Sequence, residues 1–216
     1  MYEFIGTMYL FVGINFSKGN PIYVVGSLFS ACIVTGRCTG AHFNMAFSLV
    51  VYILEGKFNS KWKCLLTYFC GEICGGFMGM YICYLILGKE GIAYIKPANM
   101  NYSVGYVFFV ESFAAFMQII VILHGKNQQT TLFKDMVLGV ISSLIGIYFS
   151  IVISIGITGA VLNPTVALTN VTFCAIVENN SSVLKFLFPY FFGPILGNLI
   201  ALAAYVFFCL PAVSYT

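Results

Sequence analysis

Between Asp135 and Glu178 the chain carries no charged residue, and inside that stretch stands L-N-P-T-V-A-L at positions 162–168. Asn-Pro ordinarily punctuates a surface loop, yet here its neighbours are residues that water rejects. The rest of the chain shares this character. Of its 216 residues 60% are hydrophobic and only 8% are charged, against about 25% charged in a soluble domain. A hydrocarbon layer roughly 30 Å thick takes about 20 mostly apolar residues per helix, so this length accommodates about six spans with short connections. The expectation is an all-α, multi-pass integral membrane protein with lipid around it and no separate soluble domain.

Charges and turn residues divide the chain into segments. Spanning helices are expected at residues 2–16, 22–35, 64–87, 105–123, 136–157 and 186–210, with polar connections at 17–21, 36–40, 55–63, 88–103 and 124–135. Two further apolar pieces, 44–54 and 163–177, are too short to span. Each follows the second helix of a group of three, so the plan occurs twice, in 1–100 and in 101–216. The letters repeat as well, since Thr39-Gly40-Ala41 leads to Asn44 as Thr158-Gly159-Ala160 leads to Asn163. A glutamate also sits in the first helix of each half, Glu3 and Glu111. An odd number of spans per half places the two halves upside down to each other, the inverted repeat of many transport proteins.

The short pieces are therefore where function is expected. Non-helical backbone is tolerated at membrane depth only where protein buries it or where it lines a cavity. Two re-entrant half-helices entering from opposite faces meet by their N-termini near the midplane. Asn44 and Asn163 then occupy N-cap positions, and Pro164 the first helical position, where its missing N–H costs nothing. The meeting N-termini bring two positive dipole ends together, about half a charge each, which repels cations. Glu3 and Glu111, costly in a membrane, are expected to accept hydrogen bonds from the loops that lead into the half-helices. Gly40, Ala41, Ala46, Gly159 and Ala160 are small enough to let those loops approach neighbouring spans.

Other readings are weaker. The net charge of +3 is spread over connections and gives no argument for nucleic acid. Cys32, Cys70, Cys74, Cys83 and Cys209 lie in apolar runs without histidines at metal-ligand spacing, so they are read as core residues; no metal and no cofactor is expected. No basic leader with a cleavage site precedes the first helix, so no removable targeting peptide is expected. No nucleophile, base and orienting group come together, and His42 and His124 lie far apart in the plan, which argues against an enzyme. Sequons occur at Asn101, Asn170 and Asn179–Asn180.

At this point the chain resembles the aquaporins, the major intrinsic protein family. G-A-H-F-N-M-A-F at 40–47 is similar to the family's first signature and T-G-A-V-L-N-P-T at 158–165 to the second. E-F-I-G-T at 3–7, Y-F-C-G-E-I-C-G-G at 68–76, F-V-E at 109–111 and Y-F-F-G-P-I-L-G at 190–197 follow in the family's order. The resemblance implies an aquaporin-like inverted repeat of six transmembrane helices plus two re-entrant half-helices. It implies a homotetramer with a water-channel-like pore in each subunit and proton exclusion by half-helix dipoles. His42 belongs to the signature loop and is expected to pack or hydrogen-bond there. The distribution of Lys and Arg is weakly in favour of both termini on the cytoplasm-like side, with Arg37, Lys57, Lys61, Lys63, Lys126 and Lys134 there and Lys18, Lys89, Lys96 and Lys185 opposite.

Several positions depart from the family's pattern. The two Asn-Pro-Ala motifs read Asn44-Met45-Ala46 and Asn163-Pro164-Thr165. The filter arginine expected two residues after the second motif's proline is Val166, and the other filter positions align with Val24, Ile151 and Ala160, so the constriction is expected to be apolar. Ala167 replaces the aspartate of the glycerol-conducting branch. Arg37 stands where the family often has His, and Glu72 where it often has Gln. Arg37 is expected either at the inner pore mouth or snorkelling to the interface, and Glu72 is expected to face protein.

Two functions of different class follow. One is a passive channel for water or a small neutral solute. The other is a non-conducting, channel-like subunit of a larger membrane complex, favoured by the apolar filter and by Met45. A secondary transporter needs a coupling-ion site, for which Glu72 is the one candidate.

Overall fold

The computed structural model describes residues 1–214, so the last two positions of the 101–216 half lie outside the described residues. Eight helices follow one another: α1 (Tyr2–Phe16), α2 (Pro21–Thr39), α3 (Met45–Glu55), α4 (Phe58–Leu87), α5 (Val104–Lys126), α6 (Met136–Thr158), α7 (Pro164–Glu178) and α8 (Ser181–Val213). Among the described residues there is no β-strand. α2, α4, α5, α6 and α8 are long and apolar enough to cross a hydrocarbon layer. α1 has 15 residues, about 22 Å, and completes the bundle by packing along α2 and α4. α3 and α7 are the two half-helices.

The arrangement is two-fold in its contacts. α1 lies between α2 and α4, α5 lies between α6 and α8, and α2 meets α6. α3 and α7 touch each other and are both held against α4 and α8. Glycines allow the tight crossings. An added Cβ on Gly75 would come within 2.3 Å of the Phe4 carbonyl oxygen, and one on Gly197 within 2.0 Å of the Ser112 carbonyl oxygen. Small residues at such crossings bring membrane helices into backbone contact, which apolar lipid does not drive by itself.

Several helices extend beyond the boundaries expected from the sequence, α2 and α4 among them. α2 continues through residues 36–39, because nothing there breaks the helix before Gly40. That glycine takes φ +84° as a left-handed C-cap, its N–H on the Gly36 carbonyl. α4 starts at Phe58 and has 30 residues, about 45 Å, so its first turns extend past the roughly 30 Å of hydrocarbon. Lys61 is accommodated there by an ion pair with Glu55 at 2.5 Å. The cysteines are a further correction. Cys83 is buried, but Cys70 and Cys74 are exposed on α4 and Cys32 and Cys209 only partly covered. A membrane helix is apolar on its lipid face as well as its protein face, so an apolar run does not say which side a residue takes.

Candidate functional site

The loops entering the half-helices have nearly the same backbone. Gly40 and Gly159 have φ of +84° and +88°, Ala41 and Ala160 of +54° and +57°, Phe43 and Leu162 of +51° and +53°. Left-handed conformations cost a side-chain-bearing residue roughly 1–2 kcal/mol each, so four such residues persist only because the surroundings over-determine them. The glutamates supply that determination. Glu3 accepts from the N–H groups of His42 (3.3 Å) and Phe43 (2.8 Å). Glu111 accepts from those of Val161 (3.2 Å) and Leu162 (2.7 Å), and from the Thr158 hydroxyl (2.5 Å). Glu3 is 3% and Glu111 0% exposed. Each carboxylate thus pairs donors that the bent backbone leaves without a helical partner.

The half-helices meet as the spacing of the motifs predicts. Asn44 caps α3, its Oδ1 accepting from Ala46 (3.0 Å) and Phe47 (3.4 Å). Asn163 caps α7, accepting from Thr165 at 2.8 Å. The two side chains also reach across. Asn44 Nδ2 donates to the Leu162 carbonyl at 3.4 Å, and Asn163 Nδ2 donates to the Phe43 carbonyl at 2.8 Å. An amide nitrogen has two protons, so each asparagine keeps one for the space in front of it. Pro164 is buried at the first position of α7, where no N–H is needed.

That space is one cavity of about 1210 Å³. At one end Arg37, Lys126 and Lys134 line it; at the other Lys18, Glu90 and Lys96 do; Asn44 and Asn163 lie between. Val24, Ile151, Ala160 and Val166 all line the same cavity, beside Leu10, Leu28 and Ile155.

 Ile151 and Val166 are buried, Val24 and Ala160 partly so. None of these four side chains offers a hydrogen-bond donor or acceptor.

The remaining expected positions fall around the junction. Met45 begins α3, and its N–H donates to Thr165 Oγ1 at 3.2 Å. Ala46 is buried behind it. The His42 ring lines the cavity, lies edge-on to Phe47 and Tyr68, and has Nδ1 3.0 Å from Ser48 Oγ. Glu72 faces protein and not lipid: its oxygens accept from Ser48 at 2.6 Å and Thr165 at 3.2 Å. Arg37 lies exposed in the last turn of α2 at the cavity mouth.

Three contributors escaped the sequence reading. Asn15 of α1 accepts from the Ala93 N–H at 2.8 Å, while Asn170 of α7 donates to the Ala93 carbonyl at 2.8 Å and accepts from Ile95 at 3.2 Å. Together they pin the 88–103 connection over the end of the cavity lined by Lys18 and Lys96. The available signal was an amide inside an apolar helix, which is expensive at membrane depth unless paired. This pairing also buries the Asn170 sequon, at 0% exposure, whereas Asn101, Asn179 and Asn180 are exposed. The third is Lys126, whose ammonium donates to the Gly40 carbonyl at 2.6 Å and lies 4.6 Å from the Phe47 ring centroid. A cation is favoured there by the C-terminal dipole of α2.

A helical bundle enclosing two half-helices whose capped N-termini meet beside a cavity that both their loops line is the architecture of a membrane channel for water or small solutes. The family profile described as Major intrinsic protein matches residues 25–207, and the chain belongs to that family. Its members are channels and not enzymes. The chain is 26% identical over 193 residues, 88% of its length and 68% of the relative's, to an aquaglyceroporin of Toxoplasma gondii. Its fold is similar to the X-ray structure of the aquaglyceroporin from Plasmodium falciparum, with a TM-score of 0.83 at 21% identity, covering 100% of this chain and 97% of that one.

Proposed function

We propose that the chain is a passive channel whose pore passes water or a small neutral solute through an atypical, apolar constriction. The observation that carries this reading is the cavity, lined from Arg37 and Lys126 past Asn44 and Asn163 to Lys18 and Lys96. In this reading the pore motif is Asn44, Met45 and Ala46 with Asn163, Pro164 and Thr165, the constriction is Val24, Ile151, Ala160 and Val166, and Glu3, Glu111 and His42 support the loops. The half-helix dipoles and the asparagine amides repel cations at the junction. Past it, a solute meets side chains that cannot replace its hydration, so the narrowing favours species with few hydrogen bonds to give up. The names of the two relatives extend the solute class to glycerol, although Ala167 lacks a carboxylate to orient a polyol. Residues 1–100 and 101–216 form the two inverted halves, and the chains assemble as a homotetramer in lipid.

The test is osmotic shrinkage of proteoliposomes holding the purified protein, in impermeant osmolyte and in glycerol, beside empty vesicles. Shrinkage well above the empty vesicles is expected, and its absence from folded protein would move the reading to a non-conducting subunit of a larger complex. Val166→Arg brings a charged group into the constriction and is expected to slow glycerol re-entry at least about tenfold, ~1.4 kcal/mol on the barrier. Unchanged glycerol flux in that variant would remove Val166 from the constriction.

A further inference from the structure

Three of the positions at which this chain departs from its family meet at one point. In α7 the residue after the capping asparagine is Pro164, which has no N–H. In α3 it is Met45, which has one. Asn44 Oδ1 is occupied by Ala46 and Phe47, so the Met45 N–H goes to Thr165 Oγ1 of the other half-helix. The single Thr165 hydroxyl proton goes on to Glu72 Oε2, and the Ser48 hydroxyl of α3 donates to Glu72 Oε1. Glu72 and Thr165 are 0% exposed and Ser48 2%. With Glu72 ionised it only accepts, so both hydroxyl protons point to it and each hydroxyl oxygen is left free to accept, Thr165 from Met45 and Ser48 from a protonated His42 Nδ1.

We propose that Glu72 is a positioning residue which, through Ser48 and Thr165, ties the first turns of both half-helices to α4 and absorbs the N–H that Met45 introduces. Met45, Thr165 and Glu72 then form one hydrogen-bonded unit that replaces the plain proline and alanine of the family's motifs. Its effect on the pore is indirect: it sets the depth of α3 and α7, and with it the aim of the Asn44 and Asn163 amides. The part concerning flux rests on the channel reading above. The coupling between residues does not.

The experiment is a double-mutant cycle read in two ways, by thermal unfolding of the detergent-purified protein and by water and proton flux in proteoliposomes. Thr165→Val keeps the shape but removes the hydroxyl, leaving the Met45 N–H and one Glu72 oxygen unpaired. It is expected to lower the unfolding midpoint by about 5 °C or more and to raise the ratio of proton to water permeability severalfold. Thr165→Ser retains the hydroxyl and is expected to keep an unfolding midpoint near that of the wild type. Met45→Pro suits the first helical position after an extended Asn44 (φ −154°, ψ 112°), and removes the donor. In that background Thr165→Val is expected to cost clearly less than it does beside Met45. Equal losses in both backgrounds, or a Thr165→Val protein indistinguishable from wild type in midpoint, would overturn the proposal. If wild type passes no water, the channel reading fails while the unfolding cycle still reports the coupling.

Discussion

Glu111→Leu is expected to abolish the folded protein. The Leu side chain leaves the Val161 and Leu162 N–H groups and the Thr158 hydroxyl without the oxygens they now use. The Thr158 hydroxyl retains the Ser154 carbonyl at 3.3 Å, but each unpaired N–H costs several kcal/mol where water is absent, and the two together rival the lower part of the roughly 5–15 kcal/mol that holds an ordinary domain folded. The backbone at Ala160 and Leu162 gains nothing from its left-handed conformation once those bonds are gone. Glu111→Gln keeps one acceptor oxygen and should fold, about 2 kcal/mol less stable, with an unfolding midpoint lower by ~4–8 °C for a chain of this size. Size-exclusion profiles and thermal unfolding in detergent decide between them. A Leu variant as stable as the Gln variant would show that the loop is held by something else.

Gly197→Ala should be nearly as damaging, for a steric reason. The added methyl would stand 2.0 Å from the Ser112 carbonyl oxygen, 2.9 Å from its carbon and 3.0 Å from the Phe116 nitrogen. All three belong to the backbone of α5, so no rotamer change relieves the clash, and α8 must move away from α5. Gly193 one turn earlier lies 3.1 Å, by the same measure, from the Glu111 Cβ, so the displacement loosens the helix that carries the loop's anchor. Overpacking typically costs about 1–3 kcal/mol; against rigid backbone the upper end applies, a drop of ~10 °C in midpoint. Gly156→Ala in α6 is the control. Nothing lies within 4 Å of its added methyl, and alanine favours the helix by about 1 kcal/mol over glycine, so this variant should be as stable as wild type or more so. Equal behaviour of the two variants would refute the packing argument.

The fold and much of the candidate site are legible in the sequence, because membrane depth leaves few choices. A run without charges has to be helix, and an Asn-Pro inside it has to start one. A glutamate inside a span has to find donors, and the repeated T-G-A-x-x-N pointed to where the bent backbone would supply them. Helix ends were less legible, since residues 36–39 and 58–63 carry no breaker strong enough to mark a boundary. Nor do apolar runs tell lipid from core, so Cys70 and Cys74, expected inside, lie exposed on α4.

Partnerships between distant residues were the other blind spot. Glu72 could be assigned to a protein-facing side but not to Ser48 and Thr165, Asn15 and Asn170 gave no sign that they grip the same residue from two helices, and Lys126 gave none that it caps α2. These pairings join positions 24 to 93 residues apart in the chain. The periodicity and composition of a sequence follow from local rules, hydrophobic length and capping, and these dictated the helices, the half-helices and the sites of bent backbone. Which polar atoms meet depends on how far each helix slides and turns against its neighbours. That is settled by the packing of glycines such as Gly75 and Gly197 against opposing backbone, a property of the assembled bundle alone.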